Sequence, residues 1–315
     1  MNVNNFKLKN PVCLAPMAGV TLRPLREFFV RLGVAAVHTE MISCAGLYRN
    51  NLKTLDMLET SSMEQPVIVQ LFASEDKILC AGAEAALKHN NNFAGFGINM
   101  ACPMPKITRN GSGSALLKRP DVAFNMTREL KKFGLPVWVK IRRLESLDET
   151  LKFIELIASA GADNICLHGR TAAQRYEGAA DRNFVKIAAE KFPVLIGASG
   201  DVKTKHDILE YINYGCVNVM IARGAIANPW LVCEGLDILG YNKFNGVTSQ
   251  QQVKSIYELG KAAELEIGER QAVVLIKRMA AGLLKGMAGA AALRQRAGCS
   301  NNLNELLNIF AEIIN

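Results

Sequence analysis

The chain has 315 residues, half of them hydrophobic, and a formal charge of +8. That is ample apolar material for a large core, and the basic excess favours an acidic partner, nucleic acid foremost. Eight cysteines without a C-x-x-C pair argue against a zinc ribbon and a disulfide framework, and no apolar run is long enough to span a membrane, Lys285 interrupting the best one. The first nine residues lack the apolar segment of a signal peptide. A cytoplasmic, reduced, monomeric protein without a metal site is expected.

Short β-branched or apolar runs alternate with amphipathic stretches of helical period. Strands are expected at residues 12–15, 35–39, 67–72, 95–99, 137–141, 164–168, 194–196 and 217–222. Helices are expected between them, among others at 22–32, 77–88, 122–132, 147–160 and 205–213. Eight such units fit a (β/α)8 TIM barrel over residues 1–245. The competing doubly wound sheet lacks its G-x-G-x-x-G turn after the first strand. Beyond Gly246 the alternation stops. Thr248-Ser249-Gln250-Gln251-Gln252 offers overlapping capping boxes, and Asn302 with Glu305 another. Residues 246–315 therefore read as a small α-helical domain.

The richest segment is Asn99-Met100-Ala101-Cys102-Pro103, where a buried run opens into a loop. Chemistry in a parallel barrel is done at that end of the strands. No Asp or Glu occurs between Glu84 and Asp121, whereas Lys106, Arg109, Lys118 and Arg119 do. A thiol on a basic, mobile loop is a candidate proton donor for a polyanionic substrate, although a free cysteine is more often a small buried hydrophobe. Other strand ends carry Pro16-Met17-Ala18-Gly19, Gln70, Lys140 with Arg142, His168-Gly169-Arg170-Thr171, Ser199-Gly200-Asp201 and Ala222-Arg223-Gly224. Gly-containing loops after strands seven and eight are the usual phosphate site of such barrels.

This constellation resembles the tRNA-dihydrouridine synthases, flavoenzymes that reduce particular uridines in RNA. The resemblance runs from Leu14 into the C-terminal helices, through LAPMAGVT (14–21), VIVQLFAS (67–74), INMACPMPK (98–106), VWVKIR (137–142), LHGRTAAQRYEGAAD (167–181), ASGDV (198–202) and MIARGAIANPW (220–230). It implies that Pro16, Met17, Ala18, Gln70, Lys140, His168, Ser199, Gly200, Asp201, Ala222 and Arg223 line FMN. It also implies that Cys102 is the catalytic acid and that Asn99, Arg142 and Tyr176 hold the flipped uracil. Hydride would pass from flavin N5 to C6 and a proton from Cys102 to C5, with NADPH or NADH as diffusible reductant. Ala101, Ser199 and Ala222 depart from the family pattern at glycine or asparagine positions, and the segment 277–286 lacks its His and aromatic pair.

From Arg270 to Gly298 there are six basic residues and no acidic ones. Arg270, Lys277 or Arg278, and Lys285 recur at seven- or eight-residue spacing along one helix face, which suggests that Lys277, Arg278 and Lys285 clamp an RNA backbone. Alternatives stay open: an FMN barrel reducing a free pyrimidine or other small enone, a dihydrouridine synthase acting on ribosomal RNA, a non-catalytic RNA-binding module, or a sugar-phosphate isomerase. Flavin content separates the isomerase, and dihydrouridine content of RNA separates the uridine reductase from the rest.

Overall fold

The computed structural model describes residues 2–3, 6–284 and 289–312. Eight parallel strands form the barrel wall: β1 (Val12–Leu14), β2 (Val37–His38), β3 (Val67–Phe72), β4 (Gly95–Met100), β5 (Val137–Arg142), β6 (Asn164–His168), β7 (Ile196–Ser199) and β8 (Asn218–Ile221). They neighbour one another in chain order, and β8 returns to pair with β1. The seam between β1 and β2 is held by a Cys13–Ala36 bridge and by the Leu14 amide on the Ala36 carbonyl at 3.0 Å. Ile42–Ser43 adds a short parallel pairing on β3.

The main helices between and after these strands are α1 (Arg23–Arg31), α2 (Cys44–Tyr48), α3 (Asp76–His89), α4 (Pro120–Lys131), α5 (Leu147–Ser159), α6 (Arg182–Lys191), α7 (Lys205–Asn213) and α8 (Leu231–Ile238). Their starts are encoded locally. Pro24 occupies the first turn of α1, where its missing N–H costs nothing. Ser146–Glu149 and Thr204–Asp207 close capping boxes on α5 and α7. The strands are buried on both faces, with Leu71, Ile98, Val139, Leu167 and Val219 turned toward the helices. Cys13, Ile68, Trp138, Cys166 and Met220 fill the barrel interior. Such two-sided burial gives the short continuous apolar runs seen in the sequence.

One strand differs from expectation. Residues 194–196 read as β-rich, yet Val194 sits in a turn at φ 59° and is 60% exposed, and β7 starts only at Ile196. A β-branched residue signals strand in isolation, but here the turn closing α6 claims it.

The C-terminal helices are α9 (Ser249–Ile267), α10 (Glu269–Leu283), α11 (Ala290–Cys299) and α12 (Leu303–Ala311). Thr248 and Gln251 form the expected capping box, and the Asn302 side chain caps α12. Ile256, Leu259, Ile276, Met279, Leu306 and Phe310 share one apolar core with the barrel's helix layer. Arg23 of α1 meets Glu266 of α9 at 2.7 Å. At Gly282 the tail touches backbone: a Cβ there would lie 2.1 Å from the Ala227 carbonyl oxygen. Among the described residues no helix is long and apolar enough to cross a membrane.

Candidate active site

Strand register gathers the polar residues at the barrel mouth. Asn99 pairs with Lys140, and Lys140 with Cys166. Two residues further along, Arg142 pairs with His168, His168 with Ser199, and Ser199 with Met220. Residues two apart share a face, so both rows point inward. They open on a cavity of about 360 Å³, within the size range of small-molecule sites. Pro16, Met17, Ala18, Asn99, Cys102, Lys140, Arg142, His168, Tyr176, Ser199, Gly200, Asp201, Ala222 and Arg223 all line it. Gln70 does not: it lies buried beside Asn99, whose Nδ2 donates to its Oε1 at 3.1 Å.

The cysteine loop is pinned, where the sequence suggested a mobile one. Asn99 Oδ1 accepts the amides of Ala101 (3.1 Å) and Cys102 (2.9 Å). The Cys102 carbonyl accepts the Ser114 amide at 3.0 Å. Arg142 Nε donates to the Ala101 carbonyl at 2.9 Å, and its Nη1 donates to the carbonyls of Thr171 (2.9 Å) and Arg175 (2.7 Å). The glycine-serine loop packs directly beneath. Gly113 is at φ 62°, and a Cβ there would come within 2.7 Å of the Cys102 oxygen. Burial pushes the Cys102 thiol up, against the Met104 backbone, Arg142 and Lys140, which pull it down. The net direction keeps the thiol protonated at neutral pH, so it can donate a proton.

The remaining wall is cationic. Lys140 is lowered chiefly by burial and further by Arg142, and is held up by the thiols of Cys166 and Cys102. No carboxylate among the described residues pairs with it. An ammonium partly withdrawn from water without a counter-charge carries a cost, so an electron-rich ligand edge would be welcome beside it. Burial, with Lys140, Arg142, Arg170 and Arg223, pushes His168 down to about 2. Its Nδ1 accepts the Arg170 amide at 3.1 Å. The imidazole is therefore neutral with its proton on Nε2, a donor rather than a cation.

The two glycine loops meet at the opposite wall. Gly200 is at φ 113°, and a Cβ there would lie 3.0 Å from Ala180 Cβ and 3.2 Å from His168 Cε1. A Cβ on Gly224 would approach the Val202 carbonyl oxygen to 2.0 Å. Asp201 takes a left-handed φ of 48°. Burial opposes ionisation of its carboxyl, but the Ala180 amide and the Arg170 guanidinium prevail and hold it below the usual range. Tyr176 is half exposed and has the guanidinium groups of Arg142 and Arg223 at 5.7 and 4.9 Å from its ring centroid.

Of the predicted tail residues, Lys277 and Arg278 lie outside this cavity. Lys277 donates to the Gly298 carbonyl at 2.8 Å, within the tail. Arg278 donates to the Gly19 carbonyl in the loop after β1, while the Gly19 amide donates to Glu40. Lys285 falls outside the described residues. The site also takes in Glu40, through the Gly19 amide, Arg170, through Asp201, and Lys203, on the cavity wall. Arg170 carried a legible signal, two residues past His168 at a strand end. Glu40 and Lys203 gave none, because an isolated charge in a loop is ordinarily solvated.

A family model described as "Dihydrouridine synthase (Dus)" matches residues 13–314. A probable tRNA-dihydrouridine synthase of Aquifex aeolicus is 35% identical over 236 residues, covering 73% of each chain. The tRNA-dihydrouridine synthase B of Vibrio cholerae is 30% identical over 74% of this chain and 73% of its own. A probable tRNA-dihydrouridine synthase of Treponema pallidum is 28% identical across 94% of this chain and 91% of its own. Among solved structures, an old yellow enzyme described as TcOYE with pHBA superposes with a TM-score of 0.56 at 11% identity. It covers 76% of this chain and 91% of its own, a likeness of fold alone.

Proposed function

The chain belongs to the dihydrouridine synthase family, and from that premise we propose that it is an FMN-dependent enzyme reducing specific uridines of tRNA to 5,6-dihydrouridine, with NADPH or NADH as reductant. The observation that carries this reading is the barrel mouth itself. An unpaired, half-buried lysine, a neutral imidazole donor and a protonated thiol face one cavity. The residues fit a flavin. Lys140 suits an electron-rich ring edge, His168 offers Nε2–H, and Gly200 leaves open the space a side chain would fill. Pro16, Met17, Ala18, Ser199, Ala222 and Arg223 complete the cradle, with Gln70 acting from behind through Asn99.

When bound there in its reduced form, FMN supplies hydride. The protein's own residues do the rest. Cys102 holds a proton on Sγ for delivery to C5 of the base. Asn99 and Arg142 both grip the Ala101–Cys102 peptide just before that sulfur, one through its N–H and one through its carbonyl, so the thiol is aimed before substrate arrives. Tyr176, flanked by two guanidinium groups, offers a face on which a base drawn out of its stack can rest. Acid extraction of the purified protein should release FMN, and RNA from a strain lacking the gene should lose dihydrouridine at defined positions. Release of FAD, of no flavin, or an unchanged dihydrouridine map would overturn the proposal.

A further inference from the structure

A second cavity of about 850 Å³ lies beside the first, between the loops after β6, β7 and β8 and the helical tail. Tyr176, Asp201, Lys203, Arg223 and Gly224 line both, so the two share a wall. The second cavity is polarised. Its barrel end carries Arg170, Lys203 and Arg223, with Asp201 paired to both arginines, a net positive set. Arg170 is 3% exposed; its Nε donates to the Glu177 carbonyl, and its Nη2 to the Gly178 carbonyl and Asp201. Its Nη1 is buried without a partner among the described residues. The far end is uncharged or acidic, with Trp230, Phe244, Gln252 and a Glu234 carboxylate that accepts from Asn228 Nδ2 at 3.1 Å.

We propose that this second cavity binds the adenosine-phosphate end of the nicotinamide dinucleotide while its nicotinamide reaches the first. The inference rests on the flavin reading above. A dinucleotide has two rings joined by a diphosphate, and it needs two adjoining recesses with cations near the join. This fold has no Rossmann turn to hold the diphosphate. Arg170 Nη1 and Lys203 supply donors where phosphates would lie. Glu234, Asn228 and Gln252 match the amino and ring-nitrogen edge of a purine, with aromatic side chains beside it. An RNA strand, carrying a phosphate at every nucleotide, would call for cations at both ends. The far end has no cation among the described lining residues and holds a carboxylate.

The test uses FMN-loaded protein and ADP-ribose, which lacks the nicotinamide, with binding read by calorimetry. Gln252→Glu adds a second carboxylate at the purine end, and Phe244→Ala removes an aromatic wall. Each should weaken ADP-ribose at least tenfold and raise KM for the dinucleotide with kcat and flavin absorbance unchanged. Failure of ADP-ribose to bind, or equal affinity in both variants, overturns the inference. Loss of affinity for a short RNA oligonucleotide with ADP-ribose unaffected also overturns it and gives the cavity to RNA. Flavin release and dihydrouridine formation are scored in the same preparations, so failure of the underlying reading is seen separately.

Discussion

Asn99 offers the sharpest test of how the site is built, because its side chain is committed to the protein at both ends. Asn99→Ala strips an acceptor from the amides of Ala101 and Cys102 and a donor from Gln70 Oε1. The Cys102 amide is partly exposed and can be rehydrated, whereas Ala101 and Gln70 are buried. Two buried groups left unpaired, at about 1–3 kcal/mol each, give about 2–6 kcal/mol of lost stability. At roughly 2 °C per kcal/mol for a chain of this size, Tm should fall by about 4–12 °C in a calorimetric scan. The loosened thiol should slow uridine reduction by about 10²-fold, the cost of a small misplacement, while Cys102→Ala alone should cost about 10²–10⁴-fold. The decisive measurement is the double-mutant cycle, read by single-turnover dihydrouridine formation. If Asn99 acts by positioning Cys102, adding Asn99→Ala to Cys102→Ala costs little more. A further full loss in that background would mean that Asn99 grips the base directly, and an unchanged Tm would refute the hydrogen-bond account.

Three other outcomes are expected. Lys140→Met should leave the barrel folded but shift the bound flavin's midpoint potential negative by about 30 mV or more, a tenfold loss of preference for the reduced form, measured by dye-linked titration. His38 is pushed down to about 4, chiefly by burial, and His168 to about 2. Both lie below the unfolded value near 6.5, so the unfolded chain binds protons first and stability is lost as pH falls. Between pH 6.5 and 4 the apoprotein's urea-unfolding free energy should therefore drop with a slope approaching about 2.7 kcal/mol per pH unit, two protons' worth; His168→Asn should remove one of the two, and a flat profile would sink the account. Gly200→Ala, forced to φ 113° against Ala180 and His168, should release flavin in equilibrium dialysis while the far-ultraviolet circular dichroism stays unchanged.

The tail has a separate expectation. Lys277→Glu with Lys285→Glu should reduce the salt dependence of RNA binding by about one to two phosphates' worth, with flavin content unchanged. Arg278 is left out of that pair because it holds the Gly19 carbonyl beside Met17 and Ala18, so altering it would confound RNA binding with the flavin loop.

The barrel was legible because its strands are buried on both faces and spaced by amphipathic helices, and the mouth because strand ends carry unusual residues. What the sequence hides is partnership. The family resemblance implies that Asn99 and Arg142 are substrate ligands, yet most of their polar atoms reach backbone groups in loops that come together only through the register of β4, β5 and β6. Arg278 looked like one charge in a basic run, and its acceptor lies 259 residues away. Val194 misled because β-branching reports local preference, while a left-handed turn at that point is set by how α6 must end.

The contact at Gly282 has a mechanical meaning. Helix α10 rests on the Ala227 backbone with no room for even a methyl group, and Ala227 follows Arg223 within one short helix. If the tail holds RNA, a joint this tight would offer it to the barrel mouth at a fixed offset, as a jig presents a workpiece to a tool. Reach is then set by the shape of the joint, and re-aiming the enzyme at another position would require re-cutting the joint rather than lengthening an arm. Gly282→Ala would act as a shim, displacing the whole tail while leaving every group in the mouth chemically intact.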